Sequence, residues 1–390
     1  MGRGVAERIK ELYERSRDAP RIVAAIERLW ERVSKRIGRV KIMNFCGTHE
    51  WTITHYGIRS VLPRGIELIA GPGCPVCVTP GGYVEELARL SMEGFTILTY
   101  GDAYRLPATP SSPIRSLEHA RRERGRVEVV YSFVDAISRA RRRRGESFVF
   151  FAVGFETTMP STSIPLVTGA VPENLLILSA YRLTPPIMRF LLEKVRGVEL
   201  HGIIAPGHVS AVLGFEAWRF LPEEFSIPTV VAGFEPVDVL LAVLEILRQV
   251  YEGSARLVNE YTRVVRAEGN PVAKRAMWSV HEPVDAYWRG IGVVPRSGAG
   301  IRDRYSRWDA EKQLGIRRPE AFEDVMPGCI CGSVVLGKAR PTDCPLFMKR
   351  CTPETPYGPC MVSVEGTCRI WAEHPEFLRL EEIKSVGAAL

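Results

Sequence analysis

From Val40 onward, short apolar runs give way to glycine-rich turns and then to apolar residues at helical spacing. The runs are Val40–Phe45, Glu67–Ala70, Thr96–Tyr100, Val127–Tyr131, Phe148–Val153, Leu175–Ala180, Gly202–Ala205 and Thr229–Ala232. Helical segments such as Gly82–Met92, Phe133–Arg144, Pro185–Val195 and Pro236–Tyr251 lie between them. Strands alternating with helices imply an α/β protein with mainly parallel sheet. Eight strands in about 200 residues could form one sheet or two lobes, and the boundary between two lobes would fall in the basic, polar stretch near Arg139–Ser147. This divides the chain into N-terminal helices (1–38), lobe I (39–145), lobe II (146–270) and a C-terminal region (271–390).

Asp18, Ala19 and Pro20 break the first segment into two helices. A weak internal echo supports paired lobes: Ala152-Val-Gly-Phe-Glu-Thr-Thr158 and Val231-Ala-Gly-Phe-Glu-Pro236 each follow a strand. After Tyr261 the alternation fades, and Gly290–Gly300 reads as turn-rich. The stretch Pro341–Cys360 is rich in proline and cysteine and poor in apolar residues. It cannot bury much core and is expected to fold around something inorganic.

Composition adds little to that picture until charge and cysteine are considered. With 46% hydrophobic and 25% charged residues, the 390-residue chain is globular rather than disordered. The most apolar stretch, Thr229 to Leu247, contains Glu235, Asp238 and Glu245, so no membrane span is expected. The N-terminus shows no signal-peptide core, and a cytoplasmic location is expected. The net charge is +7. Much of it falls in Ala120–Arg144, where nine arginines face three acids and the run ends in Arg141–Arg144. No aromatic interleaving accompanies it, so nucleic acid is not expected. Two readings stand: the solvated end of a helix, or a patch for an acidic protein partner.

Structural disulfides are rare in a reducing compartment, so nine cysteines point to metal or redox chemistry. Cys46 stands alone, Cys74 and Cys77 form a C-x-x-C pair, and six more fall between Cys329 and Cys368. The distinctive motifs follow predicted strands: Cys46-Gly-Thr-His-Glu50, Gly71-Pro-Gly-Cys-Pro-Val-Cys77, Gly101-Asp102, Gly154-Phe-Glu-Thr-Thr158 and Pro206-Gly-His-Val-Ser210. The carboxyl ends of parallel strands line ligand crevices, so these loops are expected to converge.

Cys46 and His49 offer a soft and a borderline ligand. Cys74 and Cys77, in a Gly/Pro-constrained loop, suit thiol–disulfide exchange or metal binding. His208 reads as a loop histidine, and Glu156 reads equally as a cap for its following helix or as functional. One choice of four C-terminal thiols is Cys331, Cys344, Cys351 and Cys368. Four thiolates suit structural zinc or a 4Fe–4S cluster, and spacing does not choose between them. Cys329 and Cys360 are then left as a possible redox pair.

Together these motifs resemble the HypD family of NiFe-hydrogenase maturation proteins, from about Arg39 to Trp371. The match continues through Trp288-Arg-Gly-Ile-Gly292, Pro295-Arg-Ser-Gly298, Cys351-Thr-Pro353 and Cys360-Met-Val-Ser-Val-Glu-Gly-Thr-Cys368. The resemblance implies two related, Rossmann-like parallel-sheet lobes around a cleft plus a C-terminal iron–sulfur region, and a scaffold that works with a HypC-type chaperone to assemble an iron carrying two cyanides and one carbon monoxide. It implies a HypE-type cyanide donor and, further on, the hydrogenase large subunit as recipient. It also implies that Cys331, Cys344, Cys351 and Cys368 ligate a 4Fe–4S cluster, and that Cys46, with His49 beside it, meets the assembling iron. Cys74/Cys77 and Cys329/Cys360 would relay electrons.

Overall fold

The computed structural model describes residues 17–195, 197–319 and 324–375. The first of the two N-terminal helices expected from sequence lies outside the described residues. The second is present as Ala19–Val33 and packs on the helix Pro236–Glu252.

All eight expected strands form: β1 (Val40–Asn44), β2 (Ile66–Ala70), β3 (Thr96–Thr99), β4 (Val127–Val129), β5 (Phe148–Gly154), β6 (Leu175–Tyr181), β7 (Gly202–Pro206) and β8 (Thr229–Ala232). A short β9 (Leu257–Asn259) follows. Two parallel sheets result, one ordered β2-β1-β7-β8-β9 and the other β4-β3-β5-β6. Every residue of β5 is buried, as both faces of a parallel sheet require. Burying each of its phenylalanines and valines contributes about 1.5–3 kcal/mol.

The sheets do not divide at residue 145. β4 and β5, on either side of that point, both pair with β3. The first sheet instead combines β1 and β2 with β7 to β9, more than a hundred residues later. The chain therefore crosses between sheets twice, once between β2 and β3 and again between β6 and β7. The first crossing carries the Cys74–Cys77 loop and the helix Gly81–Met92. Each lobe is thus assembled from residues placed in both of the expected units.

The Gly290–Gly300 segment is a strand rather than a turn. β10 (His281–Trp288) and β11 (Gly292–Ile301) form an antiparallel hairpin. Gly292, at φ 115°, begins the return strand. A Cβ on Gly298 would lie 2.8 Å from the Ala286 side chain, so glycine here reflects close strand approach. The hairpin docks beside β6, where Ser179 donates to the Ala299 carbonyl at 2.6 Å. Among the described residues, no helix is long and apolar enough to cross a membrane.

Candidate functional site

The carboxyl ends of β2, β1, β7 and β8 are neighbours in the first sheet, so the loops that follow them meet. Cys46 is the half-buried N-cap residue of the helix Gly47–His55. Gly73 backs directly onto it: a Cβ there would lie 2.5 Å from the Cys46 amide nitrogen. The Gly47 N–H donates to the Gly73 carbonyl at 3.2 Å. Glycine at 73 is therefore what lets the Cys74–Cys77 loop lie against Cys46.

Desolvation, followed by the nearby Glu365 carboxylate, pushes the Cys46 thiol up to about 11. The Thr48 and His49 amides and the Thr48 hydroxyl oppose that shift. A cation at the sulfur would reverse the balance, because it favours thiolate.

His49 is fully buried. Its Nε2 lies 2.8 Å from the Gly233 carbonyl and 3.2 Å from that of Ala232. Two carbonyls can only accept, so Nε2 carries the hydrogen and Nδ1 presents a lone pair. Nδ1 is buried without a partner. Burial lowers the ring to about 4, so it stays neutral. Phe234 is stacked between His49 and His208, with centroids 4.7 and 3.9 Å away. That stack joins the loops after β7 and β8 to the Cys46 helix. His208 is itself exposed.

Cys74 and Cys77 are buried and disulfide-bonded, with Cα atoms 5.4 Å apart. They share one packed core with Cys331, Cys351, Cys360 and Cys368, against which Cys329 and Cys344 also pack. The six C-terminal cysteines are free thiols. Cys331 lies beside Cys329. Its thiol donates to the Cys329 sulfur, and this bond, with the Arg289 charge in support, brings Cys329 down to about 7 against burial. Cys331 is correspondingly pushed up. A side-chain hydrogen bond also joins Cys368 to Cys360. The Cys351 sulfur accepts from the amides of Tyr357 and Gly358 at 3.4 and 3.5 Å. Among the described residues, no three His, Cys, Asp or Glu side chains are arranged to hold a single metal ion. The donors nevertheless suit a thiolate-held cluster: the thiols are gathered, and amides already point at sulfur.

Three residues or groups whose roles the motifs did not reveal hold these parts together. Glu50 is 1% exposed. Its carboxylate accepts from Arg59 Nη2 (2.8 Å to each oxygen), Trp371 Nε1 (2.7 Å) and Asn44 (3.0 Å). It thereby fastens the Cys46 helix to the helix Thr367–Glu373, which carries Cys368. Arg289 is also buried. It donates to the carbonyls of Asp324, Pro107 and Ala108, while its own amide bonds Val78 just beyond the disulfide. The turn at residues 363–365 joins the two sheets. Ser363 Oγ donates to Asp102 after β3, and Glu365 presses on Gly47 beside Cys46. A signal for Glu50 lay in plain view, since a carboxylate one residue after His49 must find a cation or donors if buried.

Glu156 does not cap the helix that follows it. It binds the Thr184 amide and hydroxyl, each at 2.7 Å, and so caps the later helix Thr184–Lys194. Burial raises its carboxyl to about 7.

Paired parallel sheets, with a strand-end thiol beside a disulfide and a cysteine-rich C-terminal region, define an α/β protein whose thiols gather at the strand ends. Comparison with known proteins makes the class specific. The HypD family profile, described as "Hydrogenase formation hypA family", matches residues 20–375. A Methanocaldococcus jannaschii protein named for hydrogenase expression and formation is 44% identical over 359 residues, covering 92% of this chain and 98% of its own. The hydrogenase maturation factor HypD of Rhizobium leguminosarum bv. viciae is 40% identical, covering 89% and 90%. That of Cupriavidus necator is 38% identical, covering 90% and 93%. The chain belongs to the HypD family of hydrogenase maturation proteins.

Proposed function

We propose that this chain acts in NiFe-hydrogenase maturation as the scaffold on which an iron receives two cyanides and one carbon monoxide, working with a HypC-type chaperone and a HypE-type cyanide donor. The observation that carries the reading is the placement of Cys46. A strand-end thiol lies against a disulfide loop, and that disulfide shares one sulfur-rich core with the C-terminal cysteines.

Cys46 binds the incoming iron as thiolate, a soft ligand suited to low-spin ferrous iron. His49 keeps its Nδ1 lone pair available to accept a hydrogen bond or orient a ligand, because Nε2 is tied to the Gly233 carbonyl. Cys74 and Cys77 supply two electrons when reduced: two thiols become one disulfide and release two protons to solvent. Cys331, Cys344, Cys351 and Cys368 would hold a 4Fe–4S cluster, which when bound supplies single electrons. Cys329 and Cys360, hydrogen-bonded to Cys331 and Cys368, tune or exchange with those thiols.

Anaerobic co-purification with the chaperone, followed by infrared spectroscopy, tests the proposal. Metal-bound cyanide and carbon monoxide bands are expected. A stable complex with brown absorption but no such bands would leave a stand-alone thiol–disulfide oxidoreductase instead.

A further inference from the structure

A groove of about 750 Å³ opens on the face of the molecule next to the C-terminal cysteines. Four arginines line it, Arg105, Arg115, Arg122 and Arg350, against two glutamates, Glu118 and Glu354. One glutamate is already engaged, since Arg122 pairs with Glu118 at 3.3 Å. Arg105 donates to the Glu354 backbone carbonyl, a bond that does not neutralise its charge. Arg115, Arg122 and Arg350 are exposed.

The groove also lies close to sulfur. Tyr357 lines it. The amides of Tyr357 and of the adjoining Gly358 donate to the Cys351 sulfur. A Cβ on Gly358 would lie 2.7 Å from the Cys329 sulfur. Pro107 and Ala108, also in the lining, accept from Arg289, whose own amide bonds Val78 beside the Cys74–Cys77 loop. One layer of backbone separates the basic surface from the sulfur-rich core.

The arginine-rich run divides in two. Arg139 and Arg143 are taken up by Glu128, Asp135 and Glu146 at the end of their own helix. Arg122 faces the groove. Within the segment Lys338 to Arg350, four basic residues face a single acid, Asp343.

We infer that this groove is the docking surface for a small, acidic, one-electron carrier protein that reduces the chain. The inference rests on the proposed redox role of the cysteines and adds the partner that role lacks. Charge complementarity favours an acidic protein, and electron-transfer encounters need only a small interface. Two reduced carriers each give up one electron. With two protons these convert the Cys74–Cys77 disulfide into two thiols, and two oxidised carriers leave.

The test uses reduced ferredoxin, a small acidic iron–sulfur protein, as the probe on the full-length holoprotein. Thiol appearance at Cys74 and Cys77 is read by alkylation and mass spectrometry, and ferredoxin affinity by calorimetry. For the wild type, both the rate and the affinity should fall about tenfold or more between roughly 20 mM and 300 mM salt, as expected for steering by exposed charges. Arg115→Glu with Arg350→Glu should slow reduction by ferredoxin about tenfold or more at low salt and flatten the salt dependence. Reduction of the same variant by dithionite should be unchanged, which controls for folding. Arg350→Gln alone should give a smaller loss in the same direction.

Equal rates with ferredoxin in wild type and charge-reversed variants would overturn the surface while leaving the thiol relay intact. So would competition by micromolar inorganic pyrophosphate, which would mark the groove as a small-anion site. A disulfide that neither ferredoxin nor dithionite can reduce would instead overturn the underlying redox reading.

Discussion

Replacing Glu50 by alanine tests whether the Cys46 helix and the cysteine-rich appendage form one mechanical unit. Glu50 and Arg59 are 1% and 6% exposed. Removing one partner of a buried ion pair costs about 3–5 kcal/mol, because the remaining charge is left without compensation. Here the loss also strips an acceptor from Trp371 Nε1 and from Asn44. A change of 1 kcal/mol shifts the melting temperature of a 150–250-residue domain by about 2–4 °C, so a fall of roughly 10 °C is expected. Differential scanning calorimetry measures it. Because Trp371 anchors the helix Thr367–Glu373, alkylation of Cys360 and Cys368 should accelerate in the same variant. Replacing both partners together, Glu50→Leu with Arg59→Met, should recover most of the lost stability, since buried pairs exchange for apolar groups at little cost. A shift below about 2 °C for Glu50→Ala, with unchanged alkylation, would refute the clamp.

Cys344→Ala or Cys351→Ala should bleach the brown chromophore and reduce iron content, and a full four-iron complement in either would refute the ligand set. Differential alkylation should show Cys74 and Cys77 changing oxidation state together, whereas thiols fixed in one state would refute their relay role. Glu156 supplies a pH dependence of definite sign. Its native carboxyl sits at about 7, above the ordinary value of 4.5, so the native state holds a proton that the unfolded chain releases. That contribution is complete below about pH 4.5 and is lost as pH rises toward and past 7, by about 3 kcal/mol. Relative to wild type, Glu156→Gln should therefore gain stability between those pH values in calorimetric melts, and a relative loss would contradict the assignment.

Much of the fold was legible because each core strand of a parallel sheet reads as a short apolar run. All eight such runs became strands, and the helices between them began and ended within a few residues of expectation. Which strands share a sheet was not legible. β1 pairs with β7 across the whole second sheet, and nothing local in Val40–Asn44 records that partner. The boundary expected near Arg139–Ser147 rested on polarity, and that polarity belongs to ion pairs tying one helix to β4. The β10–β11 hairpin was hidden because its glycines, which read as turns, serve close strand approach. At the site, the cysteine motifs were visible because strand-end loops carry function in this architecture. Trp371 and Arg289 were not, nor was the clamp that Glu50 makes to Trp371, since these partners lie 35 to 321 residues away.

The central claim is that Cys46 holds the iron being dressed with cyanide and carbon monoxide. Infrared spectroscopy of anaerobically purified chaperone complexes, comparing wild type with Cys46→Ala at matched cluster content, tests it most directly. The account predicts cyanide and carbon monoxide bands in the wild type and their loss in Cys46→Ala, with cluster absorption retained in both. Bands of full strength in Cys46→Ala would contradict it.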